Sequence, residues 1–398
     1  MDMSLPPDLD DLRRRYRGFV EDHVIPLEAD PASYDEHENI RLDLLETLRG
    51  QAKAAGLWAP QMPAAHGGLG LPVSALAVCY EEMGRSIFGP AVFNCAAPDD
   101  GNMLLLEKVA TAAQKARWLQ PIVDGTVRSA FAMTEPAPGA GSDPSLMRTE
   151  AKRRGKSWVV DGRKWFITGA AIAQHNILIA RTSADARKGL TAFLVDRDQP
   201  GWTVRRRIPI MGPEEPGGHC EIEIDGLEIA DENRLMAVGD GLKVTQIRLG
   251  TARLTHCMRW LGMARRAIEI AVPYVAERDS FGLKLSAHEG VQWMLGEAAM
   301  AIEVGRLLTM KAALRLEQGE RARTEVSMAK IQVADTLHKA IDTAIQLCGA
   351  RGYSNDTPLS WMYRYARQAR LVDGASEVHK MVLARALLDE GADFWSWR

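Results

Sequence analysis

The stretch Trp361-Met362-Tyr363-Arg364-Tyr365-Ala366-Arg367-Gln368-Ala369-Arg370-Leu371-Val372-Asp373-Gly374-Ala375-Ser376-Glu377-Val378-His379-Lys380 opens with a helical rhythm rich in arginine and aromatic side chains. It breaks at Asp373-Gly374 and resumes with Val378, Met381, Val382 and Ala386 at helical spacing. An acid at a glycine-punctuated break between two helices sits beside free N–H groups, where a carboxylate is stabilised. The glycine lets the backbone approach a ligand closely. A helix cap is the plain reading of such a pair. The rest of the chain points further.

Upstream of this break the periodicity predicts long helices over about 243–277, 286–317, 323–349 and 358–391, with short breaks between them. That pattern predicts an antiparallel four-helix bundle from residue 241 to 398. Residues 127–240 have a different period. Short β-rich runs at Ser157–Val160, Trp165–Thr168, Ile177–Ala180, Leu190–Val195, Trp202–Arg205 and Glu221–Ile224 alternate with turns, and Asp161-Gly162 and Asp225-Gly226 read as hairpin signals. This is the pattern of a small β-barrel or sandwich. Residues 1–126 read as helical again, with apolar stripes at Leu12, Tyr16, Phe19 and Val20 and at Leu44, Leu45, Leu48 and Ala52. Within that third, His66-Gly67-Gly68-Leu69-Gly70 has no strand before it and reads as a connection, not a phosphate cradle. Asn94 to Asn102 is a polar interruption, either pocket lining or a turn. The expected architecture is α+β and multi-domain: helical domain, β-domain, helical bundle.

The totals exclude several classes. With 398 residues, 46% hydrophobic and 25% charged, the chain has the composition of an ordinary globular protein. A net charge of -3 without a basic block argues against nucleic acid. The five cysteines are scattered without metal-ligand spacing, which suits a reducing compartment and argues against a disulfide framework or a metal site. No run of about 18 apolar residues is present, so no membrane span is expected, and the cytoplasm is the expected location.

Two further stretches carry candidate chemistry. Phe131-Ala132-Met133-Thr134-Glu135-Pro136 ends a predicted strand and runs into Pro138-Gly139-Ala140-Gly141-Ser142-Asp143. Backbone amides and small hydroxyls there suit a polar ring or a pyrophosphate, although a Gly/Pro-rich turn is ordinarily only a turn. Lys164-Trp165-Phe166-Ile167-Thr168-Gly169 offers aromatics followed by a hydroxyl, which suits a flat heterocycle, or else is a core strand.

Together, in a β-segment between two helical blocks, these stretches resemble the acyl-CoA dehydrogenase family of flavoproteins. The resemblance extends through Glu81-Glu82-Met83-Gly84-Arg85, Arg278-Asp279-Ser280-Phe281-Gly282, Gln346-Leu347-Cys348-Gly349-Ala350-Arg351-Gly352-Tyr353 and Ala384-Arg385. It implies FAD as cofactor, an acyl-CoA substrate, an electron-transfer flavoprotein as acceptor, and a homo-oligomer, tetramer or dimer. It places Met133, Thr134, Phe166 and Thr168 around the flavin ring and Ser142 near the pyrophosphate or the CoA. It places Arg278 and Phe281, with Gln346 and Gly349, on FAD at a subunit contact, and Ser376 and Glu377 near the cofactor. Asp373 then occupies the place of the family's catalytic glutamate, one methylene shorter, with Gly374 beside it. The alternative base position on an earlier helix is Ala252, so Asp373 is the remaining acid. Arg253 falls near the base or the substrate entrance, and His256 and Trp260 follow on the same helix face.

Asp373-Gly374-Ala375-Ser376-Glu377-Val378-His379 resembles a branch with a D-G-x-x-E-V-H signature. Ala97-Pro98-Asp99-Asp100-Gly101-Asn102-Met103, Arg248-Leu249-Gly250, His256-Cys257-Met258-Arg259 and Ala287-His288-Glu289 also fit it. The implied reaction is α,β-dehydrogenation of an acyl-CoA, with α-proton abstraction by Asp373 and hydride transfer to the flavin. The second reading is an oxidase of the same fold, similar to nitroalkane oxidase, using Asp373 and oxygen.

Overall fold

The computed structural model describes residues 4–185 and 188–396. The N-terminal helices are α1 (Pro7–Phe19), α2 (Leu42–Ala54), α3 (Val73–Met83) and α4 (Asp99–Val109). The predicted stripes face inward: Tyr16 and Phe19 on α1 and Leu45, Leu48 and Ala52 on α2 are buried. Residues 67–72 form a loop after a short helical turn at Ala64–His66.

The middle segment folds as β1 (Ser129–Ala132), β2 (Glu150–Arg154), β3 (Ser157–Thr168), β4 (His175–Arg181), β5 (Leu190–Asp196), β6 (Trp202–Arg207), β7 (His219–Ala230) and β8 (Arg234–Leu235). They form one eight-stranded sheet in the order β6-β7-β3-β2-β4-β5-β8, with β1 parallel to β4. The link between β2 and β4 is the single pair Glu150–Arg181, so two half-sheets fold over one core. Trp158, Val160, Ile222 and Ile229 from one half meet Leu178, Phe193 and Val195 from the other. The opposite face of β4 and β5 packs through Ile177, Ile179 and Leu194 on Met103 and Leu106 of α4 and on Trp118.

The helices after the sheet are α5 (Gly241–Glu277), α6 (Glu289–Glu317), α7 (Arg323–Cys348), α8 (Leu359–Ala366) and α9 (Ser376–Glu390). They share one core with the N-terminal helices, where Tyr16, Tyr80 and Phe93 meet Leu254, Trp260, Leu337 and Met362. The break at Asp373-Gly374 lies where this shared core meets the sheet, joined to β1 through Arg248.

Two expectations need correction. Asp161-Gly162 and Asp225-Gly226 are not hairpin turns. Each lies inside a continuous strand, where the β3–β7 register shifts between Val160 and Gly162. Asp161 Oδ1 accepts the Gly226 N–H at 2.7 Å, so the two dipeptides form one bulge. A Cβ on Gly162 would sit 2.5 Å from Thr149 Oγ1. Close approach, not chain reversal, is what requires glycine there, and the β2–β3 turn falls instead at Gly155. The segment over 358–391 is likewise not one helix. It is α8, a 3-10 turn at Arg367–Arg370, a left-handed break and α9. Among the described residues no helix is long and apolar enough to cross a membrane, and no cluster of three or more His, Cys, Asp or Glu side chains is placed to hold a metal.

Candidate active site

The break between α8 and α9 has a defined backbone. Asp373 has φ 52° and Gly374 φ 101°. An L-residue in the left-handed region is disfavoured by about 1–2 kcal/mol, and Asp is among the few that tolerate it. Neighbouring cations hold the conformation. Arg253 Nε donates to the Asp373 carbonyl at 2.7 Å. Lys330 Nζ, fully buried on α7, donates to the carbonyls of Ala369 at 2.5 Å and Gly374 at 3.2 Å. A Cβ on Gly374 would stand 3.1 Å from His379 Nε2 and 3.6 Å from Arg253 Nη2, so the turn admits only glycine without displacement.

The Asp373 carboxylate faces α5. Its Oδ1 accepts from Arg248 Nη1 at 3.3 Å, and Oδ2 lies 3.3 Å from His256 Nε2 without hydrogen-bond alignment. Burial pushes the Asp373 carboxyl up, but Arg248, then His256 and Arg253, pull it the other way, and the net position is well below the usual carboxylate range. His256 is buried, and burial, the largest influence on it, keeps it neutral with its pKa below the ordinary value. Arg259 Nη2 lies 3.2 Å from His256 Nδ1. A guanidinium can only donate, so Nδ1 is the acceptor and Nε2 carries the hydrogen facing Asp373. The ring stacks on Trp260 at 4.8 Å.

The polar interruption at 94–102 proves to be the buried support of this arrangement. Asp99, Asp100 and Asn102 lie on the first turn of α4. Asp100 accepts from Arg259 Nη1 at 2.8 Å and from the Tyr80 hydroxyl at 3.0 Å. Asn102 Oδ1 accepts from Arg248 Nε at 3.4 Å and its amide donates to Ser129 Oγ at 2.9 Å. Asp99 accepts the Ser129 N–H and hydroxyl, both at 2.7 Å. Paired in this way, buried charges avoid the penalty of lone burial.

The second group of candidates lies at the ends of β1 and β3. Thr134 Oγ1 donates to the Trp165 carbonyl at 2.7 Å, and the Trp165 N–H donates to the Thr134 carbonyl at 3.0 Å. Below them Lys164 and Glu135 form a buried pair at 2.9 Å, and Glu135 also accepts the N–H groups of Arg148 and Thr149. The loop carrying Met133 and Ser142 is thereby tied back onto the sheet, with Ser142 at the exposed tip. A second register shift between Lys164 and Ile167 turns Phe166 outward, with φ 52° and 45% of its surface exposed. Thr168 follows, half-buried, against His219.

Two contacts bring these groups together. The Arg248 guanidinium lies 4.9 Å over the ring of Phe131 in β1. Gln368, in the turn before Asp373, donates to Glu215 Oε1 at 2.9 Å beside Thr168 and His219. The ends of β1 and β3 that carry Met133, Thr134, Phe166 and Thr168 are thereby joined to the break that carries Asp373 and Gly374 and to α5, which carries Arg253 and His256. Ser376 is buried beside that region at the start of α9, with no hydrogen-bond partner for its hydroxyl. Glu377 is exposed and pairs with Arg370 at 3.5 Å. Arg278, Phe281, Gln346 and Gly349 are not gathered here. All four are exposed, Phe281 to 97%.

The sequence carries no pattern that marks Lys330, His219 or Glu215, and Arg248 enters only within Arg248-Leu249-Gly250 without a role of its own. One signal was available. Arg248, His256 and Arg259 follow at helical spacing on one face of α5, a line of polar side chains among the helix's buried positions. The contacts of Lys330, His219 and Glu215 join distant segments and leave no local pattern.

Comparison with known proteins gives a consistent result over the whole chain. Three family descriptions match in order: acyl-CoA dehydrogenase N-terminal domain over residues 6–126, middle domain over 130–227 and C-terminal domain over 239–388. Probable acyl-CoA dehydrogenase FadE2 of Mycobacterium tuberculosis is 39% identical, with 98% of this chain and 97% of that protein covered. Acyl-CoA dehydrogenase family member 11 of Gallus gallus is 38% identical over 94% of this chain, which spans about half the length of that relative. A solved Mycobacterium abscessus protein, described as a candidate acyl-CoA dehydrogenase, superimposes with a TM-score of 0.90 at 36% identity, covering 98% of this chain and 100% of that one.

Proposed function

The chain belongs to the acyl-CoA dehydrogenase family and is an oxidoreductase, and on that premise we propose that it dehydrogenates an acyl-CoA thioester between the α and β carbons with Asp373 as the base. The observation that carries this reading is Asp373 itself: a mostly buried carboxylate on a left-handed turn, held on both sides yet with Oδ2 lacking a hydrogen-bond partner.

The cofactor is FAD, and the residues fit it. Phe166 offers an outward ring, Thr134 and Thr168 offer hydroxyls, and the buried Ser376 hydroxyl lacks a partner within the chain. Bound FAD supplies the acceptor for the β-hydride. Met133, Thr134, Phe166 and Thr168 would border the flavin ring, Ser142 would lie toward its pyrophosphate or the CoA, and Ser376 and Glu377 would approach the cofactor. Arg278, Phe281, Gln346 and Gly349, exposed on their own chain, would serve the cofactor of a neighbouring copy, which makes the enzyme a homo-oligomer.

The chain's own part is placement and proton transfer. Arg248 and His256 keep Asp373 ionised, so it is ready to accept a proton when the thioester arrives. Closure of the substrate over the gap removes water and raises the proton affinity of the acid. Arg253 and Lys330 hold the carbonyls of Asp373 and Gly374 inward. Because a trans peptide is planar, the Gly374 and Ala375 N–H groups point the opposite way, available to a thioester oxygen. Arg253 and His256 would border the substrate. Electrons would leave to an electron-transfer flavoprotein.

The test is anaerobic titration of the yellow protein with short, long, branched and aromatic acyl-CoAs. Bleaching of the flavin band by one class supports the reading, and intact flavin that no thioester reduces would refute it. The cationic surroundings of Asp373 also suit a small anion such as a nitroalkane carbanion. Oxygen uptake with nitroethane would favour that second reading.

A further inference from the structure

Thr168 Oγ1 lies 3.0 Å from Nδ1 of His219, the first residue of β7. Nε2 of the same ring lies 3.2 Å from Glu215 Oε2, an ion-pair distance without hydrogen-bond alignment. With the Gln368 amide on the other Glu215 oxygen, a polar row runs from the end of β3 to the turn that carries Asp373. His219 is buried.

With Glu215 ionised, the hydrogens of this row have two arrangements. A carboxylate has no hydrogen to give, and a bare ring nitrogen beside it would be repelled, so Nε2 carries a proton. The state of Nδ1 then decides the direction of the Thr168 hydroxyl. A bare Nδ1 takes the Thr168 hydrogen. A protonated Nδ1 donates to Thr168 Oγ1, and the hydroxyl hydrogen must turn away from β7.

The surroundings favour the charged state. Burial alone would discharge His219, but Glu215, then Glu214, raise its pKa above the ordinary imidazole value. Burial also pushes Glu215 up, and His219 and Gln368 bring it below its ordinary value. Both partners therefore indicate an ion pair. The other charged groups at this corner engage one another: Glu214 lies 3.8 Å from Arg207 Nε and 3.7 Å from His37 Nδ1.

We propose that His219, held charged by Glu215, is a positioning residue that turns the Thr168 hydroxyl hydrogen toward the cofactor ring and so makes the ring easier to reduce. The inference rests on the reading of Thr168 as a ring-facing residue. Physically, a fixed donor backed by a cation stabilises negative charge as the ring accepts electrons.

The test is spectroelectrochemical titration of the FAD-loaded full chain beside Glu215→Gln, Thr168→Val and the double variant. Removing the Glu215 charge lets His219 discharge and capture the Thr168 hydrogen. The reduction equilibrium should then move about tenfold toward the oxidised form, ~30 mV for a two-electron couple. Thr168→Val should shift it similarly, and the double variant no further. No shift in Glu215→Gln, or a shift that persists undiminished in the Thr168→Val background, would overturn the proposal. Unchanged potential and flavin spectrum in Thr168→Val would instead remove Thr168 from the ring and sink the underlying reading. If Glu215→Gln does not fold with FAD, nitrogen NMR of His219 in the unaltered holoenzyme decides. Two protonated ring nitrogens near neutral pH are expected, and one alone overturns the proposal.

Discussion

Arg248 Nη1 stands 3.3 Å from Asp373 Oδ1 while its guanidinium covers the ring of Phe131. One side chain thus joins the acid to the sheet. Burial raises the Asp373 pKa and Arg248 is the largest influence against it. Because the folded value is depressed, the base form persists at low pH and is lost only as pH falls through that value. Arg248→Met leaves burial unopposed at that oxygen, so the acid limb of kcat/KM should move to higher pH by about 1 unit or more. Stability should fall by on the order of 3 kcal/mol, the low end for a broken buried pair, since Asp373 keeps 16% side-chain exposure. Arg248→Lys should restore most of the limb. An acid limb unchanged in Arg248→Met would show that the pair does not govern the base.

His379 gives a second pH signature, in stability. Burial, then Arg253 and Lys330, lower its pKa from 6.5 to about 4. The unfolded chain therefore binds a proton below about pH 6.5 that the folded chain refuses. Its contribution is complete above that pH and is lost as pH falls toward 4, by on the order of 2–3 kcal/mol. Urea unfolding of His379→Gln should show a flatter stability profile over that window. An identical slope in both proteins would contradict the assignment.

Gly374→Ala adds a Cβ 3.1 Å from His379 Nε2 at a backbone φ of 101°. The expected loss is about 1–3 kcal/mol from backbone strain alone. Because the turn carries Asp373, the rate of flavin bleaching should fall further than Tm indicates. Wild-type Tm and rate together would show that the turn tolerates a side chain.

Lys330→Met sets two effects against each other. It removes a buried cation, which is favourable, and leaves the Ala369 and Gly374 carbonyls without their donor, at about 1–3 kcal/mol each. The orphaned carbonyls should win by about 2 kcal/mol, visible as a lowered Tm with FAD retained. A stabilised variant would mean that the carbonyls find other partners.

Much of this was legible in the sequence, for a physical reason. Helical and strand periods report which face of a local element is buried, and the stripes at Tyr16 and Leu45 and the runs at Ile177 and Leu190 do so directly. Asp-Gly pairs are less decisive. Asp161-Gly162 and Asp225-Gly226 have turn chemistry, yet their conformational freedom serves a bulge between long strands. Asp373-Gly374 marks a true break. The Arg248–Asp373 contact joins residues 125 positions apart, and Lys330 reaches its carbonyls across a helix packing. No local period encodes such pairings. The Asp99–Asn102 stretch was visible as polar but not as buried, because burial there follows from α5 covering it.

The central claim is that Asp373 removes the substrate proton, and rapid anaerobic mixing of Asp373→Asn with the acyl-CoA that best bleaches the wild type tests it most directly. Asparagine keeps the size of the side chain and loses the base. The variant should bind FAD as the wild type does and bind the thioester, with flavin reduction slowed by at least about a thousandfold. Reduction within tenfold of wild type, with FAD bound, would contradict the claim and send the search for the base elsewhere in the site.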